Sequence, residues 1–76
     1  MFTVVILNPK KVLFEGQVRT AFLQGDQGEF EILPYHSPVI TVLRKGRVIL
    51  DGQKYVSVRK GLARFAHNEL VILVEQ

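Results

Sequence analysis

The segment Val48-Ile49-Leu50-Asp51-Gly52-Gln53-Lys54-Tyr55-Val56-Ser57-Val58 decides the fold class. β-branched and aromatic residues crowd both flanks, and the break between them is Asp51-Gly52, a pair that accepts the positive backbone angles of a type I′ turn. Val48–Leu50 and Tyr55–Val58 are therefore predicted to pair as antiparallel strands.

Working outward, the same pattern repeats. Leu62–Phe65 and Leu70–Val74 form a second predicted pair across Ala66-His67-Asn68-Glu69, with Asn68 suited to a left-handed turn position. Upstream, Val39–Leu43 reads as a strand ended by the turn Arg44-Lys45-Gly46. At the start, Phe2–Leu7 stops at Asn8-Pro9, a turn-initiating pair. Val12-Leu13-Phe14 follows, and Gly16 marks an expected bulge or tight bend. Val18–Leu23 is expected to run on as one strand up to Gly25, and Phe30-Glu31-Ile32 to form a very short strand ended by Pro34. Helical periodicity over ten or more residues is absent, so the expected fold is all-β: a flattened β-sandwich or small barrel of about eight to ten short strands. In such a fold most of the aromatics Phe2, Phe14, Phe22, Phe30, Tyr55 and Phe65 are expected in the core. Tyr35, in a loop between prolines, is expected to be exposed.

The chain has 76 residues and is read as one domain, residues 1–76, without internal repeat or linker. A domain this small buries only about 60% of the surface its unfolded chain exposes, so a partner surface would add to its stability. It has no cysteine, which excludes disulfides, thiol nucleophiles and Cys-based metal sites. Two histidines alone cannot complete a tetrahedral metal site. Ten Lys and Arg against seven Asp and Glu give a formal charge of +3, with Lys10-Lys11, Arg44-Lys45, Arg47 and Arg59-Lys60 spread over predicted turns. Dispersed cations fit solvated turns better than a nucleic-acid stripe. Asn8-Pro9-Lys10-Lys11 interrupts the apolar start, so no leader is expected. No apolar run approaches the roughly 20 residues that span a bilayer, so no direct membrane insertion is expected either.

The segment from Gly25 to Pro38 joins two strand-like runs and holds the candidate functional residues. Gly25-Asp26-Gln27-Gly28 is not a phosphate loop: it lacks the Gly-Lys-Ser/Thr ending and a following helix, and Asp26 and Glu29 would repel phosphate. Two glycines instead make a tight tip that lets backbone approach another surface, with Glu29 at its edge. His36, held between Pro34 and Pro38, has the chemistry of a general base beside Asp26, Glu29 and Glu31. A catalytic role also needs a nucleophile, and Ser37 and Ser57 lie in no nucleophile turn. The expected role of His36 is a backbone hydrogen bond or a partner contact.

Along its whole length the chain resembles the epsilon (mitochondrial delta) subunit of F-type ATP synthases. Phe14 and Gly16 match a Phe-x-Gly pair. The family pattern Gly-x-x-Gly-Glu-Phe-Gly-Ile-Leu-Pro-Gly-His-Ala-Pro is matched at Gly25, Gly28, Glu29, Phe30, Ile32, Leu33, Pro34, His36 and Pro38. Leu43 and Gly46 match a Leu-x-x-Gly turn, and Gly61, Leu62, Asn68, Val71 and Leu73 match a later pattern more loosely. Glu31 and Tyr35 stand where the family usually has glycine.

The resemblance implies a ten-stranded flattened sandwich. It also implies a non-catalytic rotor subunit, without cofactor, that couples rotation of the proton-translocating membrane ring to ATP synthesis. The implied partners are the gamma subunit and the ring of c subunits, and the implied place is the cytoplasmic face of the cell membrane, peripherally. Gly25, Asp26, Gln27, Gly28 and Glu29 are implied as the ring-facing loop, and Pro34, Tyr35, His36, Ser37 and Pro38 as the loop at the gamma–ring junction. Family members continue into a helical hairpin that can inhibit ATP hydrolysis, and such a hairpin is expected to be missing after Gln76. The competing class is a small basic β-barrel that binds nucleic acid, which would show a continuous basic groove with exposed aromatics. A lipoyl- or biotin-carrier domain is disfavoured because the Asp51-Gly52 hairpin lacks a lysine at its tip.

Overall fold

A computed structural model describes Met1–Gln76, and every regular element in it is a strand. The nine strands are β1 (Phe2–Leu7), β2 (Val12–Val18), β3 (Ala21–Gly25), β4 (Gly28–Ile32), β5 (Val39–Leu43), β6 (Gly46–Leu50), β7 (Lys54–Val58), β8 (Lys60–Ala66) and β9 (Glu69–Glu75). They hydrogen-bond in the order β2-β1-β9-β8-β5-β3-β6-β7, with β4 added on β3. This path doubles back on itself into a small sandwich of 27 × 26 × 22 Å.

Alternation along each strand builds the core. Phe2, Val4 and Ile6 on β1, Leu70, Ile72 and Val74 on β9, and Ala63 and Phe65 on β8 face inward. From the facing layer come Ala21 and Leu23 on β3, Ile32 on β4, and Val48 and Leu50 on β6. The rings of Phe2 and Phe65 meet edge to face at 5.5 Å between centroids, a favourable aromatic arrangement. No polar or charged side chain is buried, so the interior carries no desolvation cost from unpaired groups.

Both predicted hairpins form. Asp51 (φ 54°) and Gly52 (φ 66°) take the left-handed region, but Leu50 pairs with Lys54, so the loop holds one residue more than a minimal type I′ turn. His67 (φ 52°) and Asn68 (φ 58°) are both left-handed and join Ala66 directly to Glu69.

The expected bulge at Gly16 is displaced. Gly16 pairs regularly with Val4, and the register shifts between Ile6–Phe14 and Leu7–Val12, leaving Leu13 as the extra residue. Val18–Leu23 is likewise not one strand: β2 ends at Val18 and β3 begins at Ala21. The cause lies some thirty residues away. One Asp51 carboxylate oxygen accepts the backbone N–H groups of Arg19 (2.7 Å) and Thr20 (3.1 Å), and the Asp51 N–H donates to the Thr20 carbonyl. These bonds take the donors and acceptor that a continuing ladder would have used.

Tyr55 departs from the expected core set, being 53% exposed on the outer face. The Arg47 guanidinium lies over its ring at 4.3 Å. Phe14 and Phe30 are partly buried against the core.

Candidate contact loops

The Gly25–Glu29 tip is the turn of the β3–β4 hairpin, where Gly25 pairs with Gly28 across Asp26-Gln27. Each glycine has a separate reason. A Cβ on Gly25 would sit 3.0 Å from the Phe30 ring and 3.1 Å from the Gly28 carbonyl, whereas Gly28 has φ 127°, open to few residues with side chains. The Glu29 carboxylate accepts from the Gln24 side-chain amide at 2.7 Å, so the acid at the tip is held rather than free to swing. Two backbone bonds brace the tip against β5: the Asp26 N–H to the Val42 carbonyl (3.0 Å) and the Arg44 N–H to the Gln24 carbonyl (2.8 Å). Asp26 and Gln27 project into solvent beside a groove of about 480 Å³ that runs between the tip and Val39–Val42.

The Pro34–Pro38 loop links β4 to β5. The His36 N–H donates to the Leu33 carbonyl at 3.1 Å, closing a turn around Pro34-Tyr35. Within that turn Tyr35 has φ 63°, in the left-handed region that costs a non-glycine residue roughly 1–2 kcal/mol. This explains the glycine usual at its place in the family pattern. Its N–H donates to the Asn68 side-chain oxygen (2.8 Å), and the Asn68 amide donates onward to the Met1 carbonyl (3.0 Å). Asn68 therefore ties the loop, the β8–β9 turn and the chain start together. The sequence marked it only as a turn residue, because nothing local shows the other two partners.

Within the loop the side chains divide. Tyr35 is 83% exposed. The His36 ring packs edge to face on Phe65 at 5.9 Å, and its Nδ1 lies 2.7 Å from the Ser37 carbonyl. A carbonyl can only accept, so Nδ1 carries a proton and donates to it. His36 is thus a structural anchor with one free nitrogen, as the backbone-bonding expectation held, and Tyr35 is the side chain offered outward.

The two candidate loops are not brought together. They lie at opposite ends of β4, whose five residues separate them by about 14 Å at the usual strand rise. β4 pairs only with β3, whereas β5, which leads on from the second loop, pairs along its length with β8 and meets β3 at Gly25–Leu43 alone, so it returns to the tip from the other layer. The sequence spread the basic residues over separate turns, but register brings two of those turns together: Leu43 pairs with Gly61 and Gly46 with Val58, so Arg44-Lys45 and Arg59-Lys60 lie at the same end of the sandwich, where Glu75 pairs with both Arg59 (2.9 Å) and Lys60 (3.6 Å).

A family model for the ATP synthase delta/epsilon chain β-sandwich domain matches residues 1–76. ATP synthase epsilon chain 2 of Nitrobacter hamburgensis is 35% identical over 77 residues, covering 97% of this chain and 57% of that protein. The chloroplastic epsilon chain of Calycanthus floridus is 33% identical over 72 residues, covering 91% of this chain and 54% of that one. Among solved structures, a chain in the Tetrahymena thermophila mitochondrial ATP synthase central stalk and c ring superposes with a TM-score of 0.81 at 16% identity, over 97% of this chain and 63% of that chain. A chain of the Euglena gracilis mitochondrial ATP synthase superposes with a TM-score of 0.84 at 15% identity, over 96% of this chain and 49% of its own length. At such identities the superpositions show a shared fold. The chain spans little more than half the length of these curated relatives. The match of the family model to all of residues 1–76, with relatives above 30% identity over more than nine-tenths of the chain, shows that the chain belongs to the ATP synthase delta/epsilon chain family.

Proposed function

We propose that residues 1–76 act as one domain, the β-sandwich of a non-catalytic central-stalk subunit in a membrane-associated F-type ATP synthase. It would couple rotation of the proton-driven ring to ATP synthesis by holding gamma and the c subunits in fixed relation. The observation that carries this is the match of the delta/epsilon β-sandwich family over every residue of the chain. Solved neighbours that include a central stalk and c ring support it.

The physical properties suit a torque-bearing block. The interior has no buried polar side chain, and the ladders tie the first strand to the last, Thr3–Leu7 pairing in parallel with Glu69–Leu73. In this reading Gly25–Glu29 is the ring-facing tip, with Glu29 held by Gln24. Pro34–Pro38 lies at the gamma–ring junction, with Tyr35 rather than His36 making the outward contact. The location would be peripheral, on the cytoplasmic face of the membrane.

The test is co-expression of the chain with the gamma subunit of the same genome, followed by native mass spectrometry. A one-to-one complex, weakened when Pro34–Pro38 is scrambled, is expected. No complex, together with salt-sensitive retention of an oligonucleotide, would overturn the proposal in favour of a nucleic-acid-binding barrel.

A further inference from the structure

Strand register gathers four turns at one end of the sandwich. Arg44-Lys45 lies beside Arg59-Lys60 because Leu43 pairs with Gly61 and Gly46 with Val58. Leu7 pairs with Leu73, so the turn that follows β1 comes to the same end, and Asn8, Pro9, Lys60 and Glu75 line one groove there. In that turn the Asn8 side-chain oxygen accepts the N–H groups of Lys10 and Lys11, both at 2.8 Å, which fixes its course. The fourth turn is the Gly25–Glu29 tip, where the Gln24 carbonyl accepts the Arg44 N–H at 2.8 Å.

Charge at this end is one-sided. Lys10, Lys11, Arg44, Lys45, Arg59 and Lys60 are all exposed and share the end with three acids, Asp26, Glu29 and Glu75. The chain's other four cations and four acids cancel, so this end carries the whole side-chain excess of +3. Both ion pairs of the chain join Glu75 to Arg59 and Lys60, and Glu29 is held by Gln24. Lys10, Lys11, Arg44 and Lys45 are left without an ionic partner.

No aromatic side chain lies in these turns, so the end has no platform on which nucleobases could stack and no wedge to enter a bilayer. It offers a blunt set of long cationic side chains on short turns, which suits a broad, fluid array of phosphates. We propose that this end rests on anionic lipid headgroups, with Lys10, Lys11, Arg44 and Lys45 supplying the attraction. The choice of a membrane as occupant rests on the stalk reading, in which the Gly25–Glu29 tip meets the ring and the headgroups bordering the ring lie alongside. Each cation near such a surface raises partitioning roughly fivefold, and salt screens the gain. Lipids diffuse laterally, so the contact would hold the end of a turning stalk down without fixing its angle.

The test is co-sedimentation of the 76-residue chain with vesicles of equal parts phosphatidylglycerol and phosphatidylcholine, against vesicles of phosphatidylcholine alone. Binding to the anionic vesicles should be stronger by about tenfold or more, and should fade as salt rises. Lys10→Glu and Lys45→Glu should each weaken it about fivefold or more, and the two together should abolish it. Unchanged thermal melts separate lost contact from lost folding. Lys54→Glu makes the same charge change at the far end of β6–β7, where Lys54 pairs with Leu50, and should leave binding nearly intact. A loss there equal to that of Lys45→Glu would show net charge alone at work and overturn the assignment of this end. Oligonucleotide retention without vesicle binding would overturn it in favour of nucleic acid. A gamma complex formed by a chain that ignores anionic vesicles would overturn this inference alone, whereas vesicle binding without a gamma complex would overturn the stalk reading alone.

Discussion

The two outer faces of the sandwich are built on the same alternation and end differently. On the β4-β3-β6-β7 side, outward residues satisfy one another: Gln24 holds Glu29, Arg47 caps the ring of Tyr55, and Phe22 lies between Glu31 and Ile49. On the β2-β1-β9-β8-β5 side an apolar rank of Val12, Leu7, Leu73, Leu62 and Val42 spans the sheet, and Arg64 stands unpaired. Burial inside the chain does not distinguish them, since one 16-residue core serves both. The difference shows that a period-2 pattern states which residues leave the core, whereas the residue types so exposed decide what each surface can meet.

The largest effect should come from breaking what the faces share. Phe65→Ala removes a ring that contacts both Phe2 and His36 and should cost about 3–5 kcal/mol, measured by urea unfolding. In a domain of this size that is most of the expected stability.

The faces can next be broken one at a time. A Cβ at Gly61 would lie 2.5 Å from the Leu73 carbonyl, so Gly61→Ala should destabilise by about 2 kcal/mol or more through strain between β8 and β9. Amide exchange should accelerate first in that pair, and equal acceleration in β6–β7 would contradict a local effect. On the other side, Asp51→Ala removes the acceptor for Arg19 and Thr20 and should cost about 1–2 kcal/mol. Its exchange signature should concentrate at Ala21–Phe22 and the β6–β7 turn.

Smaller effects sharpen the contrast. Tyr35→Gly relieves the left-handed strain but gives back unfolded-state entropy, so stability should rise by no more than about 1 kcal/mol. Loss of gamma binding on that background would show that the tyrosine is kept for contact. Last, Arg47→Ala and Leu73→Gln should each change the unfolding free energy by less than about 0.5 kcal/mol. A loss well above that at either site would show that the fold itself needs the outward side chain there, and would erase the distinction between the faces.

Much of the fold was legible beforehand because its signals are local. Strand existence follows from short β-branched runs, and both late hairpins follow from Asp51-Gly52 and Asn68, whose tolerance of positive φ is a property of the residue. The loops were legible as loops, and the glycines of the tip as a close approach. Gly16 misled because a glycine permits a bulge without requiring one. The extra residue fell at Leu13, where the register of β1 against β2 had to be reconciled.

What the amino-acid sequence determined by itself is the all-β class, most turn positions and which side of each strand is apolar, since these depend on neighbours within a few residues. What only the tertiary structure decided are the relations between distant segments. They include the parallel union of β1 with β9, Asp51 parting β2 from β3, Asn68 gathering Met1 and Tyr35, and the apolar rank assembled from five strands. Each depends on register between segments far apart in the chain, and alternation of period two does not specify which strand lies beside which.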